Sequence, residues 1–119
     1  MNTPAVASAV MVLIDIIDGQ RWDDLKSVLA RDCVMERPGS QPIAGLDRIE
    51  HFYRNERQVR HGKHVVDRVV ADEEAAACWG TFRGEAPDGS VIEARFADTF
   101  VLADGLIRRR TTYVHAPAH

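Results

Sequence analysis

The stretch Ile92–Leu102, IEARFADTFVL, decides the fold because its residues alternate between an apolar set and a mixed set. The apolar set contains a single carboxylate and consists of Ile92, Ala94, Phe96, Asp98, Phe100 and Leu102. A period of two is typical of a half-buried strand whose apolar face looks into a core or a cavity. A carboxylate on that face loses its water, so Asp98 must be paired, neutralised or used for chemistry.

The second half of the chain repeats this alternation and predicts an antiparallel meander. Its four predicted strands are Lys63–Ala71, Ala75–Gly84, Ser90–Leu102 and Leu106–Val114. Pro87-Asp88-Gly89 and Asp104-Gly105 lie between the last three strands and are typical of tight hairpin connections.

The first half of the chain has helical periodicity instead. A helix is predicted from Thr3-Pro4 to Gly19, with Asp15 and Asp18 on its wetter side, where we expect them to be solvated or paired. Shorter helices are predicted at Trp22–Ala30 and Leu46–Val59. Between these two lie a brief strand at residues 33–35 and a loop rich in proline and glycine at residues 36–42. Helices followed by a meander indicate one α+β domain over residues 1–119, with a cavity under a curved sheet.

Composition excludes several classes of function. The formal net charge of −3 gives no electrostatic case for nucleic acid, and strand alternation divides Arg108-Arg109-Arg110 between two faces. Cys33 and Cys78 lack the spacing of metal ligands, so we expect reduced thiols in a cytoplasmic protein. The apolar run Ala9–Ile17 is too short to span a membrane. The sequence contains no metal motif and no phosphate-binding glycine loop, so we expect no metal or organic cofactor.

Two stretches resemble the ketosteroid isomerase group of the NTF2-like, or SnoaL-like, superfamily. The first is Val34–Asn55, VMERPGSQPIAGLDRIEHFYRN, in which a Pro-x-x-Gly loop leads into a helix carrying Ile-x-x-Phe-Tyr. The second is Ala97-Asp98-Thr99-Phe100 with the Asp-Gly turn and closing strand that follow. The resemblance covers nearly the whole chain and implies a cystatin-like cone, in which three N-terminal helices pack on a curved, mainly antiparallel sheet. It also implies a pocket for a small apolar substrate and a homodimer formed through the exposed sheet face.

The resemblance assigns roles to particular positions. Asp98 matches an aspartic acid that stays protonated and holds the substrate oxygen, and Tyr53 matches a tyrosine that supports the pocket. Arg37 stands where the family has its catalytic aspartate and is preceded by Glu36. Ile14 lies where the family has its oxyanion tyrosine, so it is predicted to line the pocket without a hydroxyl.

Each of these roles has an alternative in the sequence itself. Asp98 either donates a hydrogen bond as a neutral acid or forms an ion pair with Arg108 or Arg110. Strand alternation predicts that only one of Glu36 and Arg37 points inward, as a base or as an anion anchor respectively, unless the two form a surface ion pair.

A histidine and several aromatic residues complete the predicted site. His64 begins a strand face that continues with apolar residues, so it is a candidate for proton transfer, although a surface histidine is the alternative. The predicted aromatic wall consists of Tyr53, Trp79, Phe82, Phe96 and Phe100. With these residues, the resemblance implies an isomerase, or a related dehydratase, cyclase or lyase, that transfers a proton next to a carbonyl in an apolar cyclic or aromatic substrate. A non-catalytic ligand-binding or dimerisation module of the same fold is the alternative.

Overall fold

A sixteen-residue helix packs against a curved sheet of six strands in the computed structural model, which describes residues 2–116. In chain order the elements are helix α1 (Thr3–Asp18), a 3₁₀ turn (Trp22–Ser27), strands β1 (Leu29–Glu36) and β2 (Ile43–Ala44), helix α2 (Leu46–His51), a π-helix (Phe52–Glu56), and strands β3 (Arg60–Ala71), β4 (Ala75–Glu85), β5 (Val91–Ala103) and β6 (Leu106–His115). The strand order across the sheet is β2-β1-β6-β5-β4-β3. Strands β3 to β6 form the predicted antiparallel meander, and β1 pairs in parallel with β6.

Strand β5 confirms the alternation read from the sequence. Ala94, Phe96, Asp98, Phe100 and Leu102 are all buried, whereas the residues between them are exposed or half-buried. The buried side of β5 faces the apolar stripe of α1, which consists of Val6, Val10, Leu13, Ile14, Ile16 and Ile17. Removing this apolar surface from water is the main stabilising contribution to the fold.

The prediction of three N-terminal helices holds only in part. The second helix is a 3₁₀ turn that ends at Ser27, because Leu29 and Ala30 belong to β1, where Leu29 pairs with Ile107 of β6. The brief strand predicted at residues 33–35 is therefore the second half of a longer strand. Pairing with the sheet outweighs the weak local preference of this segment for helix.

The third helix is also shorter than predicted and changes its winding. The α-helical part covers Leu46–His51, and Phe52–Glu56 continue as a π-helix, in which the amide of Arg57 donates to the carbonyl of Phe52 at 2.8 Å. The chain is extended from Arg57 onward, so Val59 lies outside the helix. Single π turns are rare and are frequently found at functional sites.

Two further findings concern the N-terminal cap of α1 and the length of the helices. Asn2 caps α1, since its side-chain oxygen accepts from the amide of Ala5 at 2.8 Å. Within residues 2–116, no helix has both the length and the apolar character needed to cross a membrane.

Both cysteines are fully buried free thiols, and burial raises the pKa of Cys33 to about 11 and that of Cys78 to about 12. In the unfolded chain these thiols ionise near pH 9.0, whereas the folded protein keeps them protonated. The folded state then binds more protons than the unfolded state. The free energy of unfolding therefore falls as pH rises from the pKa of each thiol in the unfolded chain to its pKa in the folded protein.

We therefore expect a stability loss of about 1 kcal/mol per thiol for each pH unit above the unfolded value. Urea unfolding at about pH 8 and about pH 10, under reducing conditions, measures this loss. The Cys33→Ala/Cys78→Ala variant should lose less stability over the same interval. Equal losses in the variant and the unaltered protein would contradict the account.

Candidate functional site

An open cavity of about 620 Å³ lies between the π-helix and the inner face of the sheet. The end of β1 and the loop after it form one side of the cavity, the segment from Arg48 to Val59 forms another, and strands β3 to β6 form the floor. Most of the accessible lining is apolar, with a few polar side chains that converge on it. Such a cavity is suited to one small ligand that is apolar apart from a few oxygen atoms.

Asp98 and Arg110 form a buried ion pair beside this cavity. Arg110 donates from Nη2 at 2.8 Å and from Nε at 3.2 Å to the same Asp98 oxygen, Oδ2. Asp98 is 0% exposed and Arg110 5% exposed, and Oδ1 of Asp98 is buried without a hydrogen-bond partner in the described structure. Burial by itself lowers the pKa of Arg110, but the Asp98 carboxylate outweighs that effect and holds the pKa above its ordinary value.

The ion pair is one of the two alternatives that the sequence leaves open for Asp98. The partner is Arg110, whereas Arg108 is half-exposed and binds Asp32 at 2.9 Å. Arg110 borders the cavity, and Asp98 lies behind it, outside the lining. A ligand in the cavity therefore meets the arginine before the carboxylate.

Tyr53 connects this ion pair to the cavity. Its hydroxyl oxygen accepts from Nη1 of Arg110 at 3.1 Å, and its ring stacks on Trp22 at a centroid distance of 4.8 Å. The hydroxyl hydrogen points to the thioether of Met35, with 3.7 Å between oxygen and sulfur. Since a thioether is a weak acceptor, this hydrogen remains available to a ligand oxygen. A hydroxyl that accepts from a guanidinium is a stronger donor in turn.

His64, on the floor of the cavity, forms a second polar pair with Asp18, which lies outside the lining. The backbone amide of His64 donates to Oδ2 of Asp18 at 2.8 Å, and Nδ1 lies 2.6 Å from Oδ1. Because an ionised carboxylate only accepts, Nδ1 carries the hydrogen, and Nε2 of the neutral ring is then an acceptor. Phe82 and Phe96 pack edge-on against the imidazole, and the side chains of His64 and Asp18 are 8% and 13% exposed.

The sequence predicts that Asp18 lies on the less apolar side of α1, either solvated or paired. The structure shows it paired and mostly buried, because the last turn of α1 packs against β3. The sequence carries a weak signal of this position: Asp18 follows Ile14 by four residues and thus lies at the edge of the apolar stripe. Its partnership with His64 depends on the packing of two distant segments, which local patterns do not report.

Glu36 and Arg37 both border the mouth of the cavity. Strand β1 ends at Glu36, and the chain turns at Arg37, whose carbonyl accepts from Ser40 at 3.0 Å, so strand alternation no longer applies. Glu36 pairs with Arg109 of β6 rather than with its neighbour. Glu36 is thus half-buried, with its charge neutralised by Arg109, whereas Arg37 is exposed.

The aromatic wall is smaller than predicted. Tyr53, Phe82 and Phe96 line the cavity. Trp79 does not, because Cys78 is the β4 residue opposite Asp98, which places Trp79 on the outer face of the sheet. Phe100 lies in the core at 1% exposure, beyond the cavity floor.

Ile14 is likewise placed in the core instead of the cavity. It is 2% exposed and packs within the apolar cluster beneath α1. Ile17, one helical turn later, lines the cavity in its place.

Within residues 2–116, no group of three or more His, Cys, Asp or Glu side chains is arranged to hold a metal ion.

A curved sheet with a helix packed against it and a cavity between them is the NTF2-like fold. The model of the SnoaL-like domain matches residues 12–110, so the chain belongs to the SnoaL-like family. None of the curated proteins matches the sequence significantly.

Solved structures share the fold at low sequence identity. An M. tuberculosis LEH-like epoxide hydrolase has a TM-score of 0.84 at 21% identity, with 95% of this chain and 84% of that chain covered. A Xanthomonas campestris protein, provisionally described as a polyketide cyclase, has a TM-score of 0.86 at 17% identity, covering 97% and 93%. A Kribbella flavida protein, provisionally described as a ketosteroid isomerase, has a TM-score of 0.81 at 21% identity, covering 98% and 82%. At these identities the likeness concerns the fold alone.

We expect Asp98→Leu to destabilise the protein by about 3–5 kcal/mol, because it leaves the Arg110 cation buried and unpaired. The double variant Asp98→Leu/Arg110→Met removes both charges and should recover most of that loss. Urea unfolding measures both effects. Asp32→Ala, which breaks the exposed pair with Arg108, is the matched control and should cost about 1 kcal/mol or less. An Asp98→Leu variant as stable as Asp32→Ala would contradict the buried ion pair.

Proposed function

We propose that the protein is a cofactor-free enzyme that moves a proton next to a carbonyl group in a small apolar substrate, cyclic or aromatic. The observation that supports this proposal is the presence of two complementary polar groups in one cavity. His64, oriented by Asp18, offers an acceptor nitrogen, and Tyr53, backed by Arg110, offers a donor hydroxyl. Proton abstraction next to a carbonyl needs a base at carbon and a donor at oxygen.

In the proposed reaction, Nε2 of His64 takes a proton from the carbon next to the carbonyl. The electron pair of that C–H bond moves into the C–C bond, and the carbonyl electrons move onto oxygen. The resulting enolate oxygen accepts from the Tyr53 hydroxyl, which Arg110 polarises. In a ketone with a β,γ double bond the enolate extends over that bond, so return of the proton from His64 to the γ-carbon completes an isomerisation. Where the enolate carbon instead attacks a second carbonyl, the oxygen of that carbonyl takes the proton from His64 and a cyclisation results.

Asp98 acts in this proposal as a positioning residue. It directs Nη1 of Arg110 toward Tyr53 by binding the other two nitrogens, and it does not itself border the cavity. Glu36 is a weaker candidate for the base than His64, because its carboxylate is bound by Arg109. Arg37, which is exposed at the mouth, would orient the incoming substrate.

Hydrogen–deuterium exchange of a small ketone tests the proposed reaction. The probe is 2-tetralone, an aromatic bicyclic ketone whose loss of α-proton signal in D₂O is followed by NMR. We expect the protein to accelerate the exchange, and His64→Gln to slow the catalysed rate by about 10²–10⁴-fold. Tyr53→Phe, which keeps the ring on Trp22, should slow it by about 10²–10³-fold. His51→Gln and Arg60→Met alter exposed residues outside the cavity lining and should leave the rate unchanged.

Two outcomes would contradict the proposed reaction. If both site variants exchange as fast as their controls, the catalytic groups lie elsewhere. If 2-tetralone binds but its exchange is no faster than in buffer, the chain is a non-catalytic ligand-binding module of the same fold.

We further propose that the enzyme works as a cytoplasmic homodimer assembled through the outer face of the sheet. Val65, Val101 and Tyr113 project from this face and are exposed. Light scattering after gel filtration should give twice the chain mass, and Val65→Asp/Val101→Asp should give a monomer. Val12→Asp, on the exposed side of α1, should leave the dimer intact. A monomeric unaltered protein would contradict the assembly.

A further inference from the structure

Arg57 is a half-buried cation in the cavity wall for which the described part of the chain provides no counter-ion. Its guanidinium forms no hydrogen bond and no ion pair with any residue of the range 2–116, although it lies at the junction of the π-helix and the strand that follows. Burial lowers the pKa of Arg57, and the neighbouring Arg110 cation lowers it further, against the opposing effect of Tyr53. The charge is thus partly desolvated, at a cost in free energy, without an ion pair from the described residues.

The packing around Arg57 holds the guanidinium at the cavity. Its Cζ lies 5.5 Å from the ring centroid of Tyr53 and 5.9 Å from that of Phe82, within the range of cation–π attraction. Gly62 makes room for this arrangement, since a Cβ atom there would lie 2.8 Å from Cζ of Phe82 and 3.3 Å from Nη2 of Arg57. The two aromatic faces satisfy the cation only in part, and its N–H groups remain available.

The charge balance of the cavity favours an anion. Four arginines border it, and only Arg110 is paired with a carboxylate among residues 2–116. Arg37 and Arg48 are exposed at the rim and, within the same range, form no ion pair. Two acidic residues also border the cavity: Glu36, which is bound to Arg109, and Glu56, which is exposed and lies 3.8 Å from Nε2 of His51. The cavity border thus carries more arginines than carboxylates. A ligand that enters therefore meets a positive wall.

We propose that the substrate carries a carboxylate in addition to its carbonyl, and that Arg57 binds this carboxylate and determines specificity for anionic aromatic or cyclic substrates. The position of the carbonyl rests on the proposed function, whereas carboxylate binding by Arg57 does not. A guanidinium can donate two parallel hydrogen bonds to a carboxylate, which fixes the direction of the ligand as well as its charge. The rings of Tyr53 and Phe82 would then contact the apolar part of the ligand.

A matched pair of ligands tests the proposal. The probes are 2-naphthoate and 2-naphthamide, which share a ring system and differ in charge, and isothermal titration calorimetry gives both affinities. We expect the unaltered protein to bind the naphthoate at least about tenfold more tightly than the amide. Arg57→Met, which keeps an apolar side chain over the two rings, should abolish this preference and leave the affinity for the amide nearly unchanged.

Control variants separate the role of Arg57 from general effects of charge. Arg60→Met removes an exposed cation outside the cavity and should retain the preference. Arg57→Lys keeps the charge without the planar fork and should retain only part of it. Thermal unfolding of each variant shows whether it is folded.

Three results would overturn the proposal: equal affinities for the two ligands, an unchanged preference in folded Arg57→Met, or no binding of either ligand. Loss of the preference in Arg37→Met or Arg48→Met, but not in Arg57→Met, would assign the carboxylate to the rim and would also overturn it. These measurements involve no turnover. A protein that prefers the naphthoate but does not exchange 2-tetralone would refute the proposed function and leave the carboxylate site standing.

Discussion

The buried ion pair between Asp98 and Arg110 is the constraint on which the site depends. Two charges removed from water cost several kcal/mol each, and only good geometry offsets that cost. Here one carboxylate oxygen binds two guanidinium nitrogens, and the third nitrogen is directed at the hydroxyl of Tyr53. The ion pair therefore holds Arg110, on strand β6, in one orientation as a hydrogen-bond donor beside the cavity. It thereby contributes a fixed conformation to the site.

The second half of the site comes from elements that are far apart in sequence. The last residue of α1, Asp18, holds His64 near the start of β3, and the π-helix carries Tyr53 and leads into Arg57. His64 is oriented by Asp18 and Tyr53 by Arg110, whereas Arg57 lies over two aromatic rings. An acceptor nitrogen, a donor hydroxyl and a cation without a counter-ion among residues 2–116 therefore face one space of about 620 Å³. Such a set of groups can bind an oxygen-bearing anion and move a proton on it.

Sequence patterns predicted those features that depend on local periodicity. The alternation around Asp98 correctly identified β5 and its buried carboxylate, and the strand face of His64 correctly placed that residue at the cavity. The choice of Arg110 among three consecutive arginines was beyond local patterns, because a bulge between Val101 and Leu102 shifts the pairing of β5 with β6. The prediction that Trp79 lines the cavity is wrong because Cys78, its neighbour on β4, lies opposite Asp98 on the inner face of the sheet. Trp79 therefore lies on the outer face. The contacts of α1 and of the π-helix arise from tertiary packing, which no local pattern reports.

A crystal structure of the protein with bound 2-naphthol tests the central claim most directly. The claim is that the donor of the Tyr53–Arg110 relay and the acceptor of the His64–Asp18 pair serve one ligand. The account predicts that the naphthol oxygen lies within hydrogen-bond distance of the Tyr53 hydroxyl, with the ring beside the imidazole of His64. A naphthol whose oxygen lies away from Tyr53, or whose ring does not reach His64, would contradict it.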